Sequence, residues 1–445
     1  MTPRAGPALP PLPAVAALYM LAVVVPVTMI VGPLALTGLR LMLLVLILPL
    51  LAGLLSGRYG RMLPTDWLFL GHAAWIAAAL TVNNPDRVVQ QAPSVTIEFL
   101  GSYLLARATI RTPEMFLRLC RWIIGLVLLL IPFALYETWT GSPPIIRFIA
   151  GLPGVTSIGI IDTEGRLGLE RVQGVFAHPI HFGLFCSVAF SMAFVALKGI
   201  SGSTWRWVSA GLVGAAGFLA LSSGALLAVA LQCGLIAWAA LFPKAEWRWR
   251  LLVGLFAVAW ITIDLLSNRG PMRVMMSYAT FSPHNAYIRG IIFEWGFQNV
   301  LQSPIFGIGL NDWFRPAFLH GDSVDNFWLL TAMRYGFPGV ILLGLGWFAM
   351  LISVMRRPFD RDTVTGRVRR AYVFTFIGLT LTLCTVHIWV NIYAFVFFLL
   401  GAGAWMIDHS EEAQADAAPA DPRTRAPRFT RFPDGAAPGH VRAKA

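Results

Sequence analysis

The sequence predicts an all-α integral membrane fold of about twelve transmembrane helices, with two long outer loops that contain short helices. Three observations carry this expectation. Hydrophobic residues make up 57% of the 445 residues and charged residues only 13%, more apolar side chain than a water-soluble fold can hide. The apolar residues fall in runs near the ~20 residues that a helix needs to cross ~30 Å of hydrocarbon. The charges sit between the runs. A membrane barrel would need segments of about ten residues with alternating polarity, which the sequence lacks, so helices are the spanning element.

The runs follow one another in a definite order. The first begins near Ala14, after a Pro-rich opening (1–13) with a single Arg and no small-residue cleavage pattern, so it is expected to stay as a helix. Runs from Leu39, Asp66 and Pro93 come next, the last interrupted by Glu98 and Arg107. The run from Arg118 leads into a first long loop, roughly 137–178. Three more start near Pro179, Trp207 and Gly224, the last two separated only by the tight break Ser222-Ser223-Gly224. The run from Leu251 ends in a second long loop, roughly 267–325, and runs from Asn326, Tyr372 and Asn391 complete the set. Residues 14–407 thus form one polytopic domain. The stretch 408–445 is rich in Ala, Pro and Arg and is expected to be a disordered tail. No internal repeat is evident, which disfavours transporter folds built from repeated halves. Cys120, Cys186, Cys233 and Cys384 are scattered through or beside apolar runs and read as small hydrophobes.

Net charge is +12. With a cytoplasmic N-terminus, 24 of the 34 Lys and Arg fall on the inner side, which satisfies the positive-inside rule and places both termini in the cytoplasm. The basic balance is then a topology signal, and nucleic acid is not needed to explain it. Ten arginines remain outside, against the bias. Long loops beside a bundle tend to carry function, so these arginines and their neighbours are the candidates.

The first loop ends in ERVQGVFAHPIHFGLF, residues 170–185. Pro179 suits a first helical position, which makes His178 a cap. Arg171 reads either as a solvated loop charge or as an anion ligand over the bundle mouth, with His178 and His181 either packing or lining that site. A metal at the two histidines would lack a third ligand. In the second loop, helical periodicity runs from Asn285 to Gln302. Ile292, Phe293, Gly296 and Val300 follow Arg289 on one stripe, so this cation must snorkel or find an anion. The loop closes at Asp325, which reads as an N-cap or as a carboxylate base beside Asn326, with His320 and Asp322 close in sequence. Arg334 follows two turns later, before the Gly336-Phe337-Pro338-Gly339 break, and Arg269, Arg273 and Arg315 add positive charge. Guanidinium forks match phosphate oxygens, so a diphosphate is a fitting ligand.

Four features in order resemble the O-antigen ligase and O-antigen polymerase superfamily of bacterial envelope glycosyltransferases. They are R-x-x-G-x-F-x-H-P (Arg171 to Pro179), the Ser-Gly break (Ser222 to Ala225), an Arg followed by P-x-x-G-x-G (Arg289, Pro304 to Gly309), and an Asn-aromatic segment leading to G-x-x-G (Asp325 to Gly339). The resemblance spans about residues 14–407. It implies a bacterial inner-membrane enzyme that uses an undecaprenyl-diphosphate-linked glycan and a sugar acceptor, either a growing glycan or lipid A core, at the periplasmic face. It implies no cofactor and no metal: Arg171 and Arg289 would hold the diphosphate as leaving group. Many family members have His at the position of Asp325 and Arg at that of Ser223. Asp325, His320 or His284 could serve as base, and the replaced His leans the expectation towards polymerase over ligase. A lipid-linked glycan flippase is the alternative of another class, but it would place its charges near the membrane midplane.

Overall fold

The computed structural model describes residues 9–31, 34–268, 271, 274 and 283–409. Arg269, Arg273 and the tail from 410 onward lie outside the described residues. The described residues up to Asp408 form one compact unit.

All twelve apolar runs are helical, with the run from Pro93 shared between two helices. The chain passes through α1 (Ala14–Val24), α2 (Gly38–Leu55), α3 (Pro64–Asn83), α4 (Val88–Thr96), α5 (Ser102–Thr109) and α6 (Pro113–Thr140). The short α7 (Pro144–Ala150) lies in the first long loop. There follow α8 (Pro179–Ser191), α9 (Ser203–Leu219), α10 (Ser223–Leu241), α11 (Arg248–Leu266) and α12 (Pro283–Gln302). The last are α13 (Phe327–Met355), α14 (Val364–Thr382), α15 (Val390–Gly401) and the single turn α16 (Trp405–Asp408). Eight helical segments among the described residues are long and apolar enough to cross a membrane, and the chain is a multi-pass membrane protein. The other four runs fall short for definite reasons. Helix α1 has 11 residues and α9 has 17, and α14 carries Arg367, Arg369 and Arg370. The run from Pro93 is divided by a π-helical turn, Ile97–Gly101, between α4 and α5.

The fold is not purely helical, which corrects the all-α expectation. Val27–Val31 (β1) pairs antiparallel with Leu34–Thr37 (β2) and with Thr156–Ser157 (β3), in the order β2-β1-β3. The cause is local. Pro26 and Pro33 flank a β-branched stretch, Val27, Thr28, Ile30 and Val31, which disfavours helix and suits a pleat.

The charges that interrupt the run from Pro93 are paired inside the bundle. Glu98 Oε1 accepts from Arg40 Nε at 2.6 Å, and Arg107 pairs with Asp66, whose Oδ1 also accepts from the Tyr103 hydroxyl at 2.7 Å. Charged groups at membrane depth are tolerated when they find such partners. Helix α15 is the pillar of the bundle, with every residue from Asn391 to Gly401 buried. At the other extreme, α11 buries only Arg248 and turns its apolar length outward, as a lipid-facing helix does.

Helix α12 docks on α13 through the stripe expected from the sequence. Ile292, Gly296 and Val300 are buried, and a Cβ on Gly296 would come within 2.8 Å of Leu329. Helix α13 is kinked at Gly336, where φ is 68° and ψ is −175°. The P-x-x-G-x-G loop fills this kink as a backbone clip. Ile308 N donates to Met333 O at 2.7 Å, Gly309 N to Arg334 O at 3.1 Å, and Phe337 N to Pro304 O at 2.8 Å. On its far side the loop is held by the end of α3, where Asn84 Oδ1 accepts from Leu310 N at 2.8 Å. The glycines of this motif therefore serve close backbone approach.

Candidate functional site

The N-termini of α8, α10 and α13 carry residues that meet at one cavity. Its lining is Arg166, Arg171, His178, Ile180, Ser222, Ser223, Arg289 and Asp325, and its volume is about 150 Å³. Residues more than 150 apart in sequence are thus gathered into one site.

The first wall is the end of the first long loop. Glu137, at the end of α6, is buried, and its carboxylate accepts from the backbone N–H of Gln173 at 2.6 Å and of Gly174 at 3.0 Å. Thr138 Oγ1 donates to Glu170 O at 2.9 Å. Arg171 is therefore held between anchored neighbours, a position unlike that of a solvated loop charge. The second wall is the break between α9 and α10. Leu221 adopts a left-handed φ of 44° there, and the carbonyls of the break face the arginines. Arg166 Nη1 donates to Leu221 O at 2.8 Å, and Arg171 Nε lies 3.5 Å from Ala220 O.

The opposite wall belongs to the second long loop. Arg289 Nε lies 3.7 Å from Asp325 Oδ2, with side chains 13% and 37% exposed. Arg289 Nη1 is buried and makes no hydrogen bond. Asp325 is not the N-cap of α13, which corrects one of its two sequence readings. That role falls to Asn326, whose side-chain Oδ1 accepts from Leu329 N at 3.0 Å. The one-residue shift leaves the Asp325 carboxylate turned to the cavity, with Ser323 Oγ 3.4 Å from its Oδ1.

His178 does cap α8, its Nδ1 accepting from Ile180 N at 3.1 Å, while the other face of the residue lines the cavity. Burial, reinforced by the Arg171 guanidinium, lowers its pKa to about 4. It is neutral at physiological pH and acts there as a hydrogen-bonding group. Burial and the neighbouring Arg166 lower Arg171 to about 10, and burial with the charge of Arg289 lowers Arg166. Arg171 remains a cation at neutral pH, crowded by like charge. The site thus sets three guanidiniums against one carboxylate, at the positive ends of helix dipoles, and favours a multivalent anion.

The His178 shift has a measurable consequence. Between pH 4 and 6.5 the unfolded chain binds a proton at this residue that the folded chain does not, so its neutral form favours folding above that window. Stability is lost as pH falls through it. We expect wild-type thermal stability to drop more from pH 7 to pH 5 than that of His178→Asn, which keeps a capping acceptor. Parallel pH profiles for the two would show that His178 is not held neutral.

Other candidate residues lie elsewhere. His181 is buried with its ring centroid 4.0 Å from that of Trp389, and it does not line the cavity. Arg315 pairs with Asp312 and donates to Leu319 O at 3.1 Å, holding its own loop. His320 and His284 are exposed and outside the lining. Arg334 lines a separate cavity. Arg166 was missed from sequence because it belongs to no motif. Its signal was the tight turn Arg166-Leu167-Gly168-Leu169, which closes with mutual backbone hydrogen bonds between Arg166 and Leu169. Among the described residues, no three His, Cys, Asp or Glu side chains are grouped so as to hold a metal ion.

Residues 208–344, about a third of the chain, match the family model described as O-antigen ligase. The matched segment includes the α9–α10 break, Arg289, the P-x-x-G-x-G clip, Asp325 and the kink of α13, while Arg166, Arg171 and His178 precede it. No curated protein matches the sequence. The chain is therefore a multi-pass membrane protein in which residues 208–344 are similar to the O-antigen ligase family.

Proposed function

We propose that this protein transfers an oligosaccharide from undecaprenyl diphosphate to a sugar hydroxyl at the periplasmic face of the bacterial inner membrane. The observation that carries the reading is the cavity itself: three arginines from two separate loops converge on one carboxylate, within and beside a domain of a glycan-transferring family.

The chemistry follows from the charges. Arg166, Arg171 and Arg289 bind the diphosphate oxygens. The acceptor oxygen attacks the anomeric carbon, and the bond from that carbon to the diphosphate breaks with its electron pair passing to the phosphate oxygen. Negative charge on the leaving group grows in this step, so fixed cations stabilise the transition state more than the ground state. The hydroxyl proton passes to the Asp325 carboxylate, the only carboxylate among the described residues of the lining. His178, being neutral, contributes a hydrogen bond.

The carboxylate at the position where many family members carry His leans the reading towards a polymerase, which joins one lipid-linked glycan to another. Deletion of the gene tests this on a polysaccharide gel. A lost polymerase leaves short single-repeat glycans. Long polymer that is made but not attached to lipid A core identifies a ligase instead, and an unchanged ladder would sink both.

A further inference from the structure

A second cavity, of about 120 Å³, lies where α2, α4 and its π turn, α13 and the α14–α15 connection meet. Its polar lining is Arg40, Gln91, Glu98, Thr331, Arg334 and His387, with Trp389, Tyr335 and Tyr393 as aromatic walls. The Glu98 side chain is only 5% exposed and sits in the π turn, a distortion that recurs at functional sites. Its Oε1 accepts from Arg40 Nε. The Arg334 guanidinium, by contrast, makes no ion pair or side-chain hydrogen bond among the described residues, yet it borders the cavity two turns inside α13. A cation in such a place points to a ligand.

The position of this cavity ties it to the first. Trp389 lines it, and the Trp389 ring lies 5.8 Å from that of His178, which lines the arginine site. A single layer of rings therefore separates the two. Their chemistry differs. In the arginine site three guanidiniums face one carboxylate, whereas here one of two guanidiniums is already bound to the buried Glu98. A diphosphate would meet that carboxylate as a like charge. A pyranose fits better, because its hydroxyls donate to Glu98 and Thr331 and accept from Arg334, while its C–H face packs on an aromatic wall.

We infer that this second cavity is a carbohydrate subsite, which holds the hydroxyl-bearing sugar of the acceptor one ring layer from the donor diphosphate. The role as acceptor subsite rests on the glycan-transfer reading; the binding of sugar does not. The test uses full-length protein in nanodiscs and, as probe, the free oligosaccharide released by mild acid from the strain's own polysaccharide, with binding followed calorimetrically. Wild type is expected to bind it, Arg334→Gln to bind about tenfold more weakly or worse, and Arg289→Ala to bind as wild type does. Arg334→Lys keeps the charge and reports on the site if the Gln variant does not fold, with an expected weakening of about threefold, because an ammonium lacks the guanidinium fork. No binding by wild type, or equal binding by wild type and either Arg334 variant, overturns the inference. So does loss of inorganic pyrophosphate binding on changing Arg334 but not Arg289, since that would make the second cavity the anion site. A wild type that binds the oligosaccharide but transfers no glycan sinks the glycan-transfer reading and leaves the sugar site standing.

Discussion

Arg289→Ala and Arg171→Ala are each expected to lower glycan transfer by about 10²–10³-fold or more while the protein still inserts and folds. The expectation rests on where the two guanidiniums sit. Arg289 Nη1 is buried without a hydrogen-bond partner, and its nearest counter-charge, Asp325, is 3.7 Å away at Nε. Among the described residues, the Arg171 side chain makes one long contact, to Ala220 O. Neither side chain is a main support of the fold, and removing either relieves like-charge crowding in the cavity. Stability should therefore hold or rise slightly while activity falls, a split that a structural arginine would not give. Arg→Lys at either position should restore only part of the activity, because a lysine ammonium cannot bind two oxygens with a planar fork. The measurement is transfer of labelled lipid-linked glycan in proteoliposomes, with thermal stability of the same preparations alongside. Wild-type transfer by either alanine variant would dissolve the assignment of the cavity as the diphosphate site.

Gly336→Ala should be strongly damaging for a single added methyl. At φ 68° and ψ −175°, a region that essentially only glycine occupies, an alanine is strained by about 1–3 kcal/mol, and its Cβ would lie 2.1 Å from Ile305 O, a backbone atom that cannot step aside alone. The clip between 304–309 and α13 must open, and α12 is anchored through that clip. We expect a loss of several degrees in melting temperature together with loss of transfer, since α12 carries Arg289. Gly344→Ala is the control. It lies in the same helix with open space at its Cβ, and it should be neutral or slightly stabilising. Equal stability of the two variants would mean that the clip does not hold the kink.

The helices were legible because apolar run length and intervening charge are local properties. The twelve starting points read from the sequence correspond to twelve helices or helix pairs. The small sheet was not legible, because β3 is only Thr156–Ser157 and pairs with a strand about 130 residues earlier. In the site, Arg171, His178, Arg289 and Asp325 were found from motif and periodicity, and the structure gathers all four into one lining. Arg166 was lost among loop charges, and Arg334 was grouped with the outer arginines although it faces a different cavity. Glu98 looked like a flaw in a helix. Its partner Arg40 lies 58 residues away on a neighbouring helix, a pairing that no spacing rule could reveal.

The order in which the ribosome delivers the cavity has a consequence of its own. Arg166 and Arg171 are synthesised first, and Asp325 follows about 150 residues later, on the order of ten seconds at ordinary elongation rates. In that interval the carbonyls of Ala220 and Leu221 are delivered, and they can hold the arginines before any carboxylate arrives. The nascent chain therefore carries a peptide placeholder in the position that the proposed diphosphate would take. The three-cation cavity is incomplete until α12 and α13 have been made, so on the proposed reading capture of a lipid diphosphate waits for them.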